Sequence, residues 1–123
     1  MSDIKKIEWV LRIAVAGEFF GHGVFALQGK EAWIGWIARL IGVGDGPAGQ
    51  VLFLIGLMDL AIALIVLVRP ISWLLLWAAF WGFWTALVRP IVGEPVWDFV
   101  ERWANWGAPL ALFFLLKKEK DIR

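Results

Sequence analysis

The chain has 123 residues, of which 61% are hydrophobic and 19% are charged, and its formal net charge is +1. Soluble domains contain roughly 45–50% apolar residues, so this composition excludes a disordered chain and an ordinary soluble enzyme. Because the sequence has no cysteine, a disulfide scaffold and thiolate-bound zinc or iron–sulfur sites made by this chain alone are also excluded. The small net charge gives no argument for a nucleic-acid partner. We therefore expect a single, small integral membrane domain.

Four apolar stretches are long enough to cross a bilayer, which takes about 20 residues per helix. Backbone groups in hydrocarbon must be hydrogen-bonded internally, so each stretch is predicted to be a helix. A shorter segment has apolar residues on one side of a helical wheel and charges on the other, which is typical of an interfacial helix. An alternative is that this segment forms a lid over a site between the spans. The prediction is an all-α fold, an integral membrane four-helix bundle with spans at 9–28, 51–68, 71–88 and 97–116 and an interfacial helix at 31–41.

Small residues at four-residue spacing indicate where helices approach each other closely. Gly17 and Gly21 predict such a contact on the first span. Ala78, Gly82 and Ala86 predict another on the third span, whose small-residue side is therefore expected to face the bundle. The short connection between the second and third spans predicts that these two helices form a tight hairpin.

Ionisable residues within membrane spans are costly, and they are functional candidates for that reason. Glu18 and His22 are four residues apart on the first span and share a helix face. Asp59 lies near the middle of the second span, and the fourth span begins with a polar arc. We expect one polar core that opens outward, although the charges could instead pair and fix helix packing. The candidates for ligand binding or proton relay are Glu18, His22, Asp59, Glu101, Arg102 and Asn105.

His22 is the only histidine of the sequence. A haem site with two histidine ligands therefore cannot form within one chain, and a metal site would need carboxylates such as Glu18 and Asp59 beside it. That ligand set is not specific, so neither haem nor a metal site is predicted. His22 could instead carry protons or hydrogen-bond to a quinone, so the sequence leaves the cofactor open, with a quinone as one candidate.

The third span has an aromatic face opposite its small residues. Trp77 and Trp81 lie too deep to be interface anchors, whereas Trp73 and Trp84 could be such anchors. The deep pair is predicted to contact another subunit, a second copy of the chain or a planar lipid-soluble ligand, with plain lipid contact as the alternative. Because this span is uncharged, its aromatic face is not expected to contribute to the polar core. The face consists of Trp73, Trp77, Phe80, Trp81 and Trp84.

The distribution of lysine and arginine predicts the orientation in the membrane. Both ends of the chain are basic, and the short loop after the second span carries Arg69, whereas the other two loops have mixed charge. By the positive-inside rule both termini are cytoplasmic, which agrees with an even number of spans. The basic residues near the termini are Lys5, Lys6, Arg12, Lys117, Lys118, Lys120 and Arg123.

Two stretches resemble DoxX-like membrane proteins. Residues 11–23, LRIAVAGEFFGHG, look like the opening of that family, in which an arginine begins the first helix and a small residue, aromatics and a His-Gly pair follow. Residues 99–112, FVERWANWGAPLAL, are similar to its last-helix signature. The resemblance implies a four-helix bundle in a prokaryotic plasma membrane. The residues at matching motif positions are Arg12, His22, Glu101, Arg102 and Asn105.

Relatives in that family are associated with quinone-linked sulfur oxidation or with redox-stress assemblies. The resemblance therefore implies an accessory subunit or quinone-level partner of a membrane redox assembly that is not catalytic on its own. On this hypothesis, Arg102 binds the anionic or carbonyl end of a quinone head group or small oxidised substrate, and His22 with Glu18 exchanges protons. The electron-carrying centre would lie in a partner.

Two other function classes remain open from the sequence. A small proton-coupled transporter or channel would use Glu18, Asp59 and Glu101 as relay groups. A purely structural subunit would pack its tryptophan face against another membrane protein or its pigments. In all three cases the expected partners are the lipid bilayer and other membrane subunits or further copies of the chain.

Overall fold

The computed structural model describes residues 1–122, with side chains placed through Lys120. Within this range all regular secondary structure is helical, which confirms the all-α prediction. Three of the helices, α1, α3 and α4, are long and apolar enough to cross a membrane. Arg123, one of the predicted cytoplasmic charges, lies outside the described residues. The helices are α1 (Asp3–Leu27), α2 (Glu31–Ile41), α3 (Asp45–Val68), α4 (Ser72–Ile91), α5 (Val96–Val100) and α6 (Ala104–Ile122).

The helix boundaries follow local chemistry. α2 occupies residues 31–41, where the sequence predicted a short helix. α3 begins at Asp45, before the predicted residue 51, because Pro47 fits the first turn of a helix, where its missing N–H is not needed. α4 continues to Ile91 and includes Pro90 close to its end.

The predicted span at 97–116 is not one continuous helix. It is divided into α5 and α6 by a turn at residues 101–103, where backbone N–H groups bond to carbonyls three residues back, as Arg102 does to Phe99 at 3.2 Å. Arg102 Nη1 also donates to the Asp98 carbonyl oxygen at 2.8 Å and to Glu101 Oε1 at 2.6 Å. These local polar bonds stabilise the tight turn, and α6 then extends past residue 116.

α1 packs along both α3 and α6, while α4 packs along α6. The backbones of α1 and α3 approach closely at Gly23 and Gly56, where a Cβ on either residue would lie 3.1 Å from the carbonyl oxygen of the other. The prediction of close packing at Gly17 and Gly21 is wrong, since a Cβ there would meet nothing within 4 Å. The observed contact is at Gly23, on another side of the helix, where the residues four positions away are Phe19 and Leu27, so the spacing of small residues did not identify it.

Arg12 holds α1 and α3 together at the end of the pair that is far from Gly23 and Gly56. Its side chain is buried, and Nε donates to the Val66 carbonyl oxygen at 3.0 Å, while Nη2 donates to the Leu67 carbonyl oxygen. The last carbonyls of a helix have no partner within that helix, and a cation near them is favoured by the helix dipole. Glu8 Oε2 accepts from Arg12 Nη1 at 3.1 Å and balances the buried charge.

The small-residue side of α4 faces the protein interior, as predicted. Ala78, Gly82 and Ala86 are buried, and a Cβ added at Gly82 would collide with the backbone carbonyl of Asn105 in α6. The predicted hairpin of α3 and α4 is wrong, because α4 makes its extensive contact with α6 and touches α3 little. The connection between α3 and α4 is short, but α4 leads away from α3 and packs against α6.

Replacing Gly82 with alanine is expected to lower the thermal midpoint of unfolding in detergent. The added methyl group would force α4 away from α6, and overpacking of this kind costs about 1–3 kcal/mol. Gly17→Ala is the matched control, because its methyl group meets open space and alanine favours a helix over glycine by about 1 kcal/mol. Equal midpoints for the two variants would contradict the close approach of α4 and α6.

Candidate ligand cavity

A cavity of about 120 Å³ lies between α1, α3 and α4 and is covered by α2. An apolar cavity of about 150 Å³ is known to hold a benzene ring, so a ring bound in this smaller space would extend partly out of its opening. Its walls are mostly tryptophan and aliphatic side chains, with four polar residues among them. The lining residues are His22, Trp33, Trp36, Ile37, Leu40, Leu52, Ile55, Asp59, Trp81, Trp84, Thr85, Val88 and Arg89.

Asp59 is the most buried polar residue of the cavity wall, with 3% of its surface exposed. It lies in α3, a helix that is otherwise almost entirely apolar from residue 51 to residue 68. Its Oδ1 atom has no hydrogen-bond partner among the described residues. A buried polar atom without a partner costs about 1–3 kcal/mol, so this position is energetically unfavourable unless something in the cavity bonds to it.

Arg89 lies in the last turn of α4, where a positive charge is favoured by the helix dipole. Its Nη1 donates to the Thr85 carbonyl oxygen at 2.8 Å, which is its one side-chain hydrogen bond within residues 1–122. The guanidinium carbon lies 5.3 Å from the ring centroid of Trp36 in α2, within cation–π range. The remaining N–H groups of this buried arginine are therefore available as donors at the cavity.

α2 covers the cavity by contacts to helices on either side of it. Trp33 meets His22 of α1 edge to face, with ring centroids 5.7 Å apart, while Trp36 meets Arg89 of α4. The main packing of α2 is against α3. Gly29 before the helix and Gly42 after it have φ values of 72° and 68°, a left-handed conformation that glycine adopts without strain. This placement corresponds to the lid alternative of the sequence analysis.

The structure brings together only part of the predicted polar core. His22 and Asp59 line the cavity, whereas Glu101, Arg102 and Asn105 do not. Glu101 is exposed and paired with Arg102, and Asn105 lies with its backbone against Gly82. The cavity therefore does not hold all six predicted residues, since Arg102 bonds instead to Glu101 and to the Asp98 carbonyl oxygen.

Glu18 is half-buried and does not line the cavity. The antiparallel register of α1 and α3 is fixed by Arg12 against Val66 and by Gly23 against Gly56. That register places Glu18 level with residues 60–61 of α3, next to Asp59. The carboxyl groups of Glu18 and Asp59 thus lie at similar depth, although only Asp59 reaches the cavity.

The aromatic face of α4 is divided between the cavity and the outer surface. Trp81 and Trp84 line the cavity, which corrects the expectation that this face contributes nothing to a polar site. Trp73 and Phe80 are 68% and 56% exposed. Trp77 is also exposed and stacks on Trp81, with centroids 5.6 Å apart and ring planes at 20°.

Sequence reasoning missed Arg89 and Thr85 as parts of the site. The predicted span 71–88 ends one residue before Arg89, because Pro90 follows and proline commonly ends a helix. A usable signal was present, since Trp81, Thr85 and Arg89 follow one another at four-residue spacing and therefore share one helix face. The role of Trp36 in the cavity wall could not be inferred from α2 alone, because it depends on where α4 lies.

The site offers stacking surfaces and hydrogen-bonding groups. Among the described residues, no three histidine, aspartate or glutamate side chains gather in a group that could hold a metal ion. In comparisons with known proteins, no family model, curated protein or solved structure matches this chain. The chemistry of the cavity is therefore the main structural basis for a proposal of function, and it suits a flat ring with polar substituents at its ends.

Replacing Asp59 with leucine is expected to stabilise the ligand-free protein. The change removes a buried unpaired oxygen and fills part of the cavity, so the gain should be about 1–3 kcal/mol and the thermal midpoint should rise. Met58→Leu, one position earlier and half-buried, is the control and should change stability by less than about 1.5 kcal/mol. A lower midpoint for Asp59→Leu would show that the carboxyl group already has a stabilising partner.

Proposed function

We propose that this chain is a DoxX-like, four-helix integral membrane protein that binds a quinone head group as an accessory subunit or quinone-level partner of a membrane redox assembly. The observation that carries the proposal is the cavity, in which tryptophan rings of α2 and α4 surround a few polar groups. Ligand sites typically combine an apolar, aromatic lining with a few placed polar groups. A quinone head group is a flat ring with an oxygen at each end, and this lining complements both features.

The membrane arrangement in the proposal uses α1, α3 and α4 as spans and α6 as the fourth. With both termini in the cytoplasm of a prokaryote, α1 and α4 run outward through the plasma membrane. His22, near the end of α1, and Arg89, near the end of α4, then lie in the outer half of the bilayer. α2 lies at the outer interface, above the cavity, with its tryptophans directed at the ligand.

The ring would lie against Trp81 and Trp84, with α2 closing over it. Arg89, rather than Arg102, would donate to the carbonyl or anionic end, because Arg89 is the arginine that lines the cavity. His22 would supply a second hydrogen bond and a proton-exchange group. The chain itself binds and orients the ring, and the electron-carrying centre belongs to the partner assembly.

The exposed aromatic residues of α4 are the proposed contact with that assembly. Trp73, Trp77 and Phe80 remain uncovered on the outer surface, and large aromatic side chains commonly anchor protein interfaces. The stack of Trp77 on Trp81 joins this surface to the cavity wall. A partner on this face would thus lie one ring away from the bound quinone.

A proton-coupled transporter is the second candidate. It is favoured by Glu18 and Asp59, two carboxyl groups at similar depth within long apolar helices. Carboxyl groups in such positions often form proton relays. A proton flux in liposomes that Asp59→Asn abolishes would favour this function over quinone binding, whereas saturable quinone binding without flux would favour the first.

Quinone binding is tested with the purified protein in lipid nanodiscs by equilibrium dialysis against 2,6-dimethyl-1,4-benzoquinone, with empty nanodiscs as the blank. We expect saturable binding that Trp84→Ala weakens by about tenfold, because a lost aromatic wall costs about 1–1.5 kcal/mol. Trp73→Ala, on the same helix but outside the cavity, should leave the affinity unchanged. Absence of saturable binding, or equal effects of the two substitutions, would refute quinone binding at this cavity.

The proposed orientation is tested with reporter domains that are active on only one side of the membrane. A reporter at the C-terminus should report the cytoplasm, and one inserted at residues 42–44, between α2 and α3, should report the opposite side. A C-terminal reporter on the outer side would overturn the proposed topology and place the cavity in the inner half of the bilayer.

A further inference from the structure

The buried oxygen of Asp59 imposes a requirement on whatever occupies the cavity. Asp59 is 3% exposed, it lines the cavity, and its Oδ1 accepts no hydrogen bond from the described residues. The residues before and after it in α3 are Met58 and Leu60, whose side chains have no N–H or O–H donor. A hydrogen-bond donor within the cavity would remove the cost of this unpaired oxygen.

The other polar groups of the cavity differ from Asp59 in what they offer. Arg89 has only donors, and one of its N–H groups is already bonded to the Thr85 carbonyl oxygen. His22 in its neutral form has one donor and one acceptor, so it accommodates either kind of ligand group. Arg89 can therefore bond only to a hydrogen-bond acceptor on the ligand, whereas the unpaired oxygen of Asp59 needs a donor.

This difference separates the oxidised from the reduced form of a quinone. A quinone carbonyl only accepts hydrogen bonds, so it can bond to Asp59 only when the carboxyl group is protonated. A hydroxyl group donates as well as accepts, so it can bond to Asp59 in either protonation state and still accept from Arg89 at the other end of the ring. The reduced form can thus hydrogen-bond to both Asp59 and Arg89, whichever protonation state Asp59 has.

On this basis, and resting on the proposed function above, we propose that the cavity is selective for rings that carry a hydroxyl donor, and binds the hydroquinone more tightly than the quinone. The hydroxyl group at one end donates to Asp59, and the oxygen at the opposite end accepts from Arg89. Asp59 is thereby the residue that determines specificity. Because the reduced form is held more tightly, a tenfold preference would raise the two-electron reduction potential of the bound couple by about 30 mV.

The test compares three probes of the same ring with the full-length protein in nanodiscs under anaerobic conditions. The probes are 2,6-dimethylhydroquinone, 2,6-dimethyl-1,4-benzoquinone and the hydroquinone with both hydroxyls methylated, which has no donor. Affinities from equilibrium dialysis are corrected for partitioning into empty nanodiscs. We expect the hydroquinone to bind at least about tenfold more tightly than the quinone or the ether, as one satisfied buried hydrogen bond requires.

Substitution then assigns the preference to one carboxyl group. In Asp59→Asn the amide can donate or accept, so the preference for hydroquinone should fall below about threefold. Asp45→Asn is the control, because Asp45 lies on the same helix, is exposed and is outside the cavity. Gel filtration and thermal midpoints check that both variants are folded, and the ether comparison uses the unaltered chain.

Each outcome has a distinct meaning. If none of the probes binds, the proposed function fails together with the inference. If the quinone or the ether binds as tightly as the hydroquinone, the proposed binding function stands but the donor requirement is overturned. If the preference persists in Asp59→Asn, Asp59 does not determine it, and the inference is likewise overturned.

Discussion

The contact between α1 and α3 is the interaction on which the cavity depends. Arg12 bonds to the free carbonyls at the end of α3, and Gly23 meets Gly56 with almost no space between the two backbones. These two attachments lie far apart along the pair, so together they fix both its separation and its register. A shift of one residue in α3 turns its side chains by about 100°, which would move Asp59 out of the cavity wall.

The attachments also show how polar groups are tolerated in an apolar protein. Arg12 is buried but makes bonds to two carbonyls and to Glu8, so its charge is balanced and its donors are used. Asp59 is equally buried and lacks such a partner at Oδ1. The buried guanidinium group therefore stabilises the helix pair, whereas the buried carboxyl group carries an unpaired atom, as sites for ligands often do.

Tryptophan performs different tasks in this chain according to where the backbone places it. On α4 the rings at positions 81 and 84 enclose the cavity, while Trp73 stays on the surface. On α2 the two rings contact His22 and Arg89 and hold the short helix across the opening. Composition alone shows only that aromatic residues are abundant, since lipid, ligand and protein surfaces all accept an indole ring.

The sequence by itself determined the features that depend on local composition and periodicity. These are the all-helical fold, three long apolar helices, the short helix at 31–41 and the inward small-residue side of α4. Only the tertiary structure decided which helices are neighbours, because Gly17 and Gly21 have the four-residue spacing but meet no other helix, whereas Gly23 lacks that spacing and meets the backbone of Gly56. The same holds for the site. His22 and Asp59 could be recognised from the sequence as costly polar residues within spans. Arg89 lines the cavity with them only because α4 packs on α6, which places its last turn beneath α2. A single sequence records which side chains share a helix face, and the packing of that face against others is set by contacts between residues far apart in the chain.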